Sequence, residues 1–319
     1  MIPGRRYIAP MRSSESSIGR ATSLVALSAL CFGSISVLTV LLTKAGVPLL
    51  TAMAWRYVLA ALLLTVFAGV ERLRSVPISR TIQLLLIGGV GQALITYLSL
   101  HALEYIPVGP LAFLFYTYPA WVALIAAVRG TEKLTYVRMI ALTLALVGVT
   151  VMVGAPQAGK LNPIGVAFAL ASALLYSVYL PSLGYLQQGI PALLSTLVLV
   201  TGAAISFTLV ALFAGQLYLP NGLTVWSDIF TLALVSTVIA FSTLIAGLSV
   251  LGSVRTAIIA TIEPFFTAIL GVTVLGNQLT VATLAGGILI ASAVTLIQWS
   301  SARVELRVRS QAADAAQSR

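Results

Sequence analysis

Apolar and polar positions in this chain alternate on the scale of whole helices, not of single turns. Ten mainly apolar runs, at about 21–43, 48–69, 82–104, 107–129, 135–154, 163–187, 191–214, 228–251, 255–275 and 280–300, are separated by polar connections. Each is close to the ~20 residues that a helix needs to cross a ~30 Å hydrocarbon core. Pro48, Pro107 with Pro110, Pro163 and Pro191 open the second, fourth, sixth and seventh runs. Proline lacks an N–H, so the first turn is where a helix accepts it. The connections are short apart from 215–227 and the two tails. The pattern predicts an all-α integral membrane protein of ten transmembrane helices.

Composition removes the soluble alternative. Hydrophobic residues make up 59% of the 319 and charged residues 8%, with a mean hydropathy of +1.05. A soluble domain carries roughly 25% charged residues to cover its surface. The formal net charge of +10 would suit a nucleic-acid binder only if the basic residues shared one polar face. They lie instead in loops and tails, and their distribution sets orientation. With a cytoplasmic N-terminus, Arg5, Arg6, Arg12, Arg20, Arg72, Arg74, Arg80, Arg129, Lys133, Arg138, Arg255, Arg303, Arg307, Arg309 and Arg319 fall inside, and only Lys44 and Lys160 outside. This positive-inside asymmetry places both termini in the cytoplasm of a bacterial-type inner membrane. The lone Cys31 excludes an intramolecular disulfide and a cysteine-rich metal site. The first run has full spanning length and no small-residue cleavage site, so it is expected to remain a helix.

The chain also repeats. A shift of about 145 residues lays Tyr118-Pro119 on Glu263-Pro264, Leu134-Thr135 on Leu279-Thr280, and Thr150 on Thr295; one residue less lays Ala29-Leu30-Cys31-Phe32 on Ala173-Leu174-Leu175-Tyr176. Five spans per half is an odd number, so the second half enters the membrane upside down. The expected organisation is a cytoplasmic tail 1–20, a first repeat 21–154, an extracytoplasmic linker 155–162, a second repeat 163–300 and a cytoplasmic tail 301–319 that is polar and expected to be disordered. Inverted repeats of this kind build many secondary transporters, with the substrate near mid-membrane between the halves.

Across about 20–300 the chain resembles the EamA-type branch of the drug/metabolite transporter superfamily. The resemblance rests on Ala29-Leu30-Cys31-Phe32-Gly33-Ser34, Trp55-Arg56-Tyr57, Tyr118-Pro119, Thr131-Glu132-Lys133-Leu134-Thr135, Ala173-Leu174-Leu175-Tyr176 and Glu263-Pro264. Two positions depart from the family pattern: Phe32 stands where Trp is common, and Asn277 replaces a carboxylate whose first-half counterpart is Glu132. The resemblance implies a carrier that exports small metabolites, often amino acids, with aromatic ones favoured, and with drugs or nucleotide-related compounds as the alternative cargo. It also implies a cavity chiefly between the third, fourth, eighth and ninth helices, flanked by the first and sixth.

Candidate chemistry is sparse, and an ionisable group inside a bilayer is a functional candidate by default. Arg56 and Glu263 each lie about eight residues into their helices from opposite faces, so similar depth allows either a structural ion pair or separate roles, with Glu263 carrying protons or holding a substrate ammonium. Pro119 and Pro264 remove helix donors at corresponding places and predict kinks or hinges. Gln92, Tyr97, Tyr116, Tyr118, Tyr176, Tyr179, Ser242, Thr243, Glu263 and Thr267 are the expected cavity residues. The aromatic members could stack on an aromatic substrate, although aromatics in membrane helices also serve as packing. His101, the only histidine, fits an interfacial hydrogen-bonding role. No cofactor and no metal site is expected, since no second His or Cys accompanies it. A membrane-embedded lipid- or metabolite-modifying enzyme is the rival reading; it lacks a clustered catalytic set. The expected partners are a small-molecule substrate and the lipid bilayer, with no nucleic acid, and the sequence leaves monomer and homodimer as alternatives.

Overall fold

A computed structural model describes residues 15–69, 73–74, 76–106, 108–131, 135–153, 161–276 and 280–296. Glu132, Lys133, Leu134, Lys160, Asn277, Leu279, the C-terminal tail and most of the N-terminal tail and linker lie outside the described residues. The first half comprises α1 (Glu15–Lys44), α2 (Leu49–Ala68), α3 (Ile78–Leu86), α4 (Gln92–Leu103), α5 (Val108–Phe115), α6 (Tyr118–Val128) and α7 (Tyr136–Val153). The second comprises α8 (Pro163–Leu186), α9 (Ala192–Phe213), α10 (Leu223–Ala233), α11 (Ala240–Leu251), α12 (Ser253–Ala260), α13 (Glu263–Leu275) and α14 (Val281–Leu296). Among the described residues there is no strand.

Among the described residues, seven helical runs are long and apolar enough to cross a membrane: Ser17–Lys44, Leu49–Ala68, Ile78–Ala102, Pro163–Leu186, Ala192–Phe213, Leu223–Leu251 and Ser253–Leu275. Three shorter apolar helices, Tyr118–Val128, Tyr136–Val151 and Val281–Leu296, fall in the runs expected at 107–129, 135–154 and 280–300. Large apolar side chains such as Leu62, Val66, Leu86, Val128, Phe213 and Ile288 point outward and are exposed on the isolated chain. Helices bond their own backbone, which is what a surface facing hydrocarbon demands. The sequence start signals act as expected: Asn162 accepts from the Ile164 N–H at 2.9 Å, with Pro163 in the first turn of α8.

Interruptions come in corresponding pairs. Between α5 and α6 the helix breaks at Tyr116–Thr117, and between α12 and α13 at Thr261–Ile262. Each break lies just before the prolines paired by the repeat, Pro119 and Pro264. Neither proline can donate to the carbonyl four residues back, and its ring crowds that carbonyl. The chain responds by tightening: the Thr117 N–H reaches Leu114 at 3.2 Å and the Ile262 N–H reaches Ile259 at 3.2 Å. A second pair of irregularities carries no such sequence mark. π turns at Ile87–Gly91 and Leu234–Ile239 join α3 to α4 and α10 to α11.

Packing is closest where the halves meet. The Tyr57 and Phe207 rings of α2 and α9 stack at 5.2 Å. The π turn at Ile87–Gly91 lies directly on α9, where an added Cβ on Gly89 would come within 2.9 Å of the Gly202 carbonyl oxygen. Small residues permit such backbone approach, which is how apolar helices gain attraction in lipid. At one end of the bundle, 215–222 forms a strap over the α1–α2 turn. Thr51 donates to the Gln216 carbonyl, Trp55 Nε1 to the Tyr218 carbonyl at 2.9 Å, and the Tyr218 hydroxyl to the Gly46 carbonyl at 3.3 Å. Trp226 Nε1 ties down the Pro220 carbonyl at 2.9 Å, and its ring meets Trp55 edge-on at 5.3 Å.

Candidate functional site

A cavity of about 670 Å³ opens at the opposite end of the bundle. Its walls come from the end of α3 and the π turn after it (Gln83, Ile87), the end of α6 and the residue after it (Ile125, Arg129), the last turns of α8 (Pro181, Ser182, Tyr185) and the α11–α12 turn (Leu248, Ser249, Gly252, Ser253). Ala21 and Val25, near the beginning of α1, cluster with Leu251 beside this rim. The cavity therefore opens on the face where α1 begins, while the strap closes the other. One rim contact is fixed by charge: Arg80 donates to the Tyr185 and Leu186 carbonyls at 3.0 and 3.3 Å, with its guanidinium 4.8 Å from the Tyr185 ring centre. That caps the carbonyl end of α8 and complements its dipole.

Deeper in the bundle the repeat-related breaks bring aromatic side chains together. Phe115, Tyr116 and Tyr118 bracket one break, and Tyr176 and Tyr179 face them from α8. Ring centres lie 4.7 Å apart for Tyr118 and Tyr176, 5.4 Å for Phe115 and Tyr176, and 5.7 Å for Tyr176 and Tyr179. Glu263, at the other break, is partly buried and accepts a hydrogen bond from Tyr116. The Tyr118 hydroxyl reaches the Ala257 carbonyl at 3.5 Å, so the two broken helices touch. Tyr118 lies seven residues, roughly 10 Å, from Ile125 along the helix, and Tyr176 five residues, roughly 7 Å, from Pro181. The cluster thus lies deeper in the bundle than these wall residues, and none of its members lines the cavity. Beside it a crevice lined by Tyr57, Gly88, Gln92, Tyr179 and Phe241 is too narrow for water, and the buried Tyr179 hydroxyl has no partner there.

The expected cavity residues thus divide. Tyr116, Tyr118, Tyr176, Tyr179 and Glu263 come together, with Gln92 adjoining through the crevice. Thr267 sits one turn beyond Glu263, its hydroxyl on the Glu263 carbonyl at 3.1 Å, and a Cβ on Gly33 would touch its backbone at 3.0 Å. The Thr243 hydroxyl turns back on the Ile239 carbonyl at 2.8 Å, and the buried Ser242 hydroxyl has no partner. Tyr97 departs from expectation: it is exposed, and its ring lies 3.9 Å from His101 instead of joining the cluster. Within the regular helix α4, Tyr97 lies five residues, and so about 140° round, from Gln92, while His101 follows it by one turn.

The open cavity lies between the third, fourth, sixth and eighth helices and touches the start of the ninth. None of the ten expected cavity residues lines it. Arg56 does not pair with Glu263. It is buried, donating from Nε to Thr237 Oγ1 at 2.7 Å and from Nη2 to the Ser236 carbonyl at 2.8 Å, with its charge 4.9 Å from the Tyr57 ring centre. The Ser236 hydroxyl in turn meets Ser34 of α1 at 2.6 Å. Arg129, Tyr185 and Phe115 are the site residues that sequence reasoning passed over. Pro181 inside the sixth run was the available signal for the cavity wall. No group of three or more His, Cys, Asp or Glu comes together among the described residues.

The corresponding breaks and π turns require two copies of one helical plan. A family model for EamA-like transporters matches twice, at 20–154 and 163–299. The chain belongs to the EamA-like transporter family. The EamA unit boundaries fall in the 155–162 linker, so each unit carries one proline break and one π turn. Among 29 matching chains of solved structures, one titled "Crystal structure of protein" aligns with a TM-score of 0.74 at 19% identity, over 90% of this chain and 99% of that one. That likeness shows a shared fold. No curated protein matches the chain.

Proposed function

We propose that this EamA-family protein is a secondary exporter of small amphipathic metabolites, amino acids with aromatic side chains first among them. It works by alternating access between its two repeats in a cytoplasmic membrane, with ten spans and both termini inside. On that orientation the cavity faces the cytoplasm and the strap closes the outer face. The supporting observation is the Glu263 carboxylate bonded by Tyr116 where the two paired helix breaks meet, deeper in the bundle than a cavity open at one face. A carboxylate kept in the membrane costs a few kcal/mol on insertion scales, and a substrate ammonium offsets that cost while the rings stack on its side chain. Pro119 and Pro264 supply the joints at which the broken helices separate.

The test is efflux of labelled phenylalanine or tyrosine from liposomes holding the purified protein, with and without a pH gradient. Saturable movement is expected, and Glu263→Gln should slow it by at least about tenfold, the worth of one charge-assisted contact. No movement of any amino acid would sink the substrate class. A Glu263→Gln protein that transports like the parent at every pH would remove Glu263 from the mechanism.

A further inference from the structure

The cavity mouth has a charge character of its own. Among its described lining residues there is one cation, Arg129, and no carboxylate. Around it stand two amides, Gln83 and Gln188, and the hydroxyls of Thr131, Ser182 and Ser249. Arg129 occupies the position just after α6, where its backbone N–H still bonds to the Ile125 carbonyl at 3.0 Å. The fork is therefore mounted on a helix end with a fixed backbone. The opposite wall is fixed too, since Arg80 is committed to the Tyr185 and Leu186 carbonyls and is not among the lining residues. Deeper along the same helix lies Tyr118, beside the only carboxylate of the tyrosine cluster, Glu263. A molecule entering from this face meets a positive group first and a negative group last.

We propose that Arg129 forms an entry subsite for the carboxylate of the substrate, separate from the Glu263 cluster. The guanidinium offers two parallel N–H donors to a carboxylate, and the surrounding amides and hydroxyls complete its hydrogen bonding. The subsite works as a filter. A zwitterion is drawn in by its acid end with its amine left to reach Glu263, whereas an organic cation without a carboxylate meets like charge at the mouth, a repulsive element of specificity. The assignment of the amine to Glu263 rests on the function proposed above; the carboxylate site itself does not.

Two measurements keep those apart. In detergent, benzoate should raise the melting temperature of the wild-type protein and of Arg129→Lys. Arg129→Gln should need about tenfold more benzoate for the same shift, and benzyl alcohol should produce none. An equal benzoate response in Arg129→Gln, or the same shift from benzyl alcohol, overturns the subsite. So does loss of the wild-type benzoate response when phosphatidylglycerol is added but not when phosphatidylcholine is, because the mouth would then belong to a lipid headgroup. In liposomes the preference for tyrosine over tyramine, taken as the ratio of their KM values, should fall about tenfold in Arg129→Gln. An unchanged ratio overturns the filter, and movement of neither compound condemns the proposed function while leaving the benzoate result to decide the site.

Discussion

Gly202→Val is expected to yield little or no monodisperse protein. A Cβ at residue 202 would fall inside the contact radius of the Leu85 carbonyl oxygen and 2.9 Å from the Gly89 amide nitrogen. From the other side, a Cβ on Gly88 would lie 2.6 Å from the Leu199 carbonyl carbon and 2.8 Å from its Cα. All these atoms are backbone, so no side chain can swing aside to make room. Overpacking a core typically costs ~1–3 kcal/mol, and here the whole helix must retreat, so about 3 kcal/mol or more is expected. Gly19→Ala on α1, with nothing within 4 Å of an added Cβ, is the matched control and should stay within about 0.5 kcal/mol of the parent. Size-exclusion profiles and melting temperatures in detergent decide it. A Gly202→Val protein as stable as Gly19→Ala would mean that α9 and the first π turn do not touch as described.

Arg56→Ala carries the second large effect, an expected loss of about 3 kcal/mol. Two bonds from a charged donor disappear, each worth ~1.5–3 kcal/mol, and the Thr237 hydroxyl and Ser236 carbonyl each lose a partner in a buried place. Arg56→Lys should recover only a fraction, because an ammonium is a single point donor and cannot bridge Thr237 and Ser236 as a fork does. Thr237→Val gives the complementary probe. Residues in direct contact show coupling of ~0.5–3 kcal/mol, so the double variant should be clearly less destabilised than the sum of the singles. Unfolding in mixed micelles measures all four proteins. Strict additivity would show that Arg56 is held by something other than α10–α11.

The Arg56 result also shows what sequence can and cannot resolve in such a protein. Counting residues from a helix start gives height in the membrane, and by height Arg56 and Glu263 are neighbours. Counting does not give direction around the bundle, and Arg56 faces Ser236 and Thr237 while Glu263 faces Tyr116. The proline breaks were legible because a missing N–H has one consequence wherever it falls, and the repeat doubled the signal. The same alignment pairs Tyr118 with Glu263, whereas Tyr176 matches Phe32 and its place beside them comes from the fold. The π turns left no trace in hydropathy, since one inserted apolar residue looks like any other, yet they rotate all that follows. Arg129 was read as a topological charge, and only the cavity beside it gives it a chemical partner to hold.

The strap at the closed end has a practical consequence. Trp55 and Trp226, two of the four tryptophans, touch there at 5.3 Å, each anchored through its indole nitrogen to a carbonyl of 218–220. On the alternating access proposed above, opening that face would pull apart an indole pair mounted on opposite sides of the seam. With Trp121 and Trp299 replaced by phenylalanine, intrinsic emission would then report the opening without any attached dye.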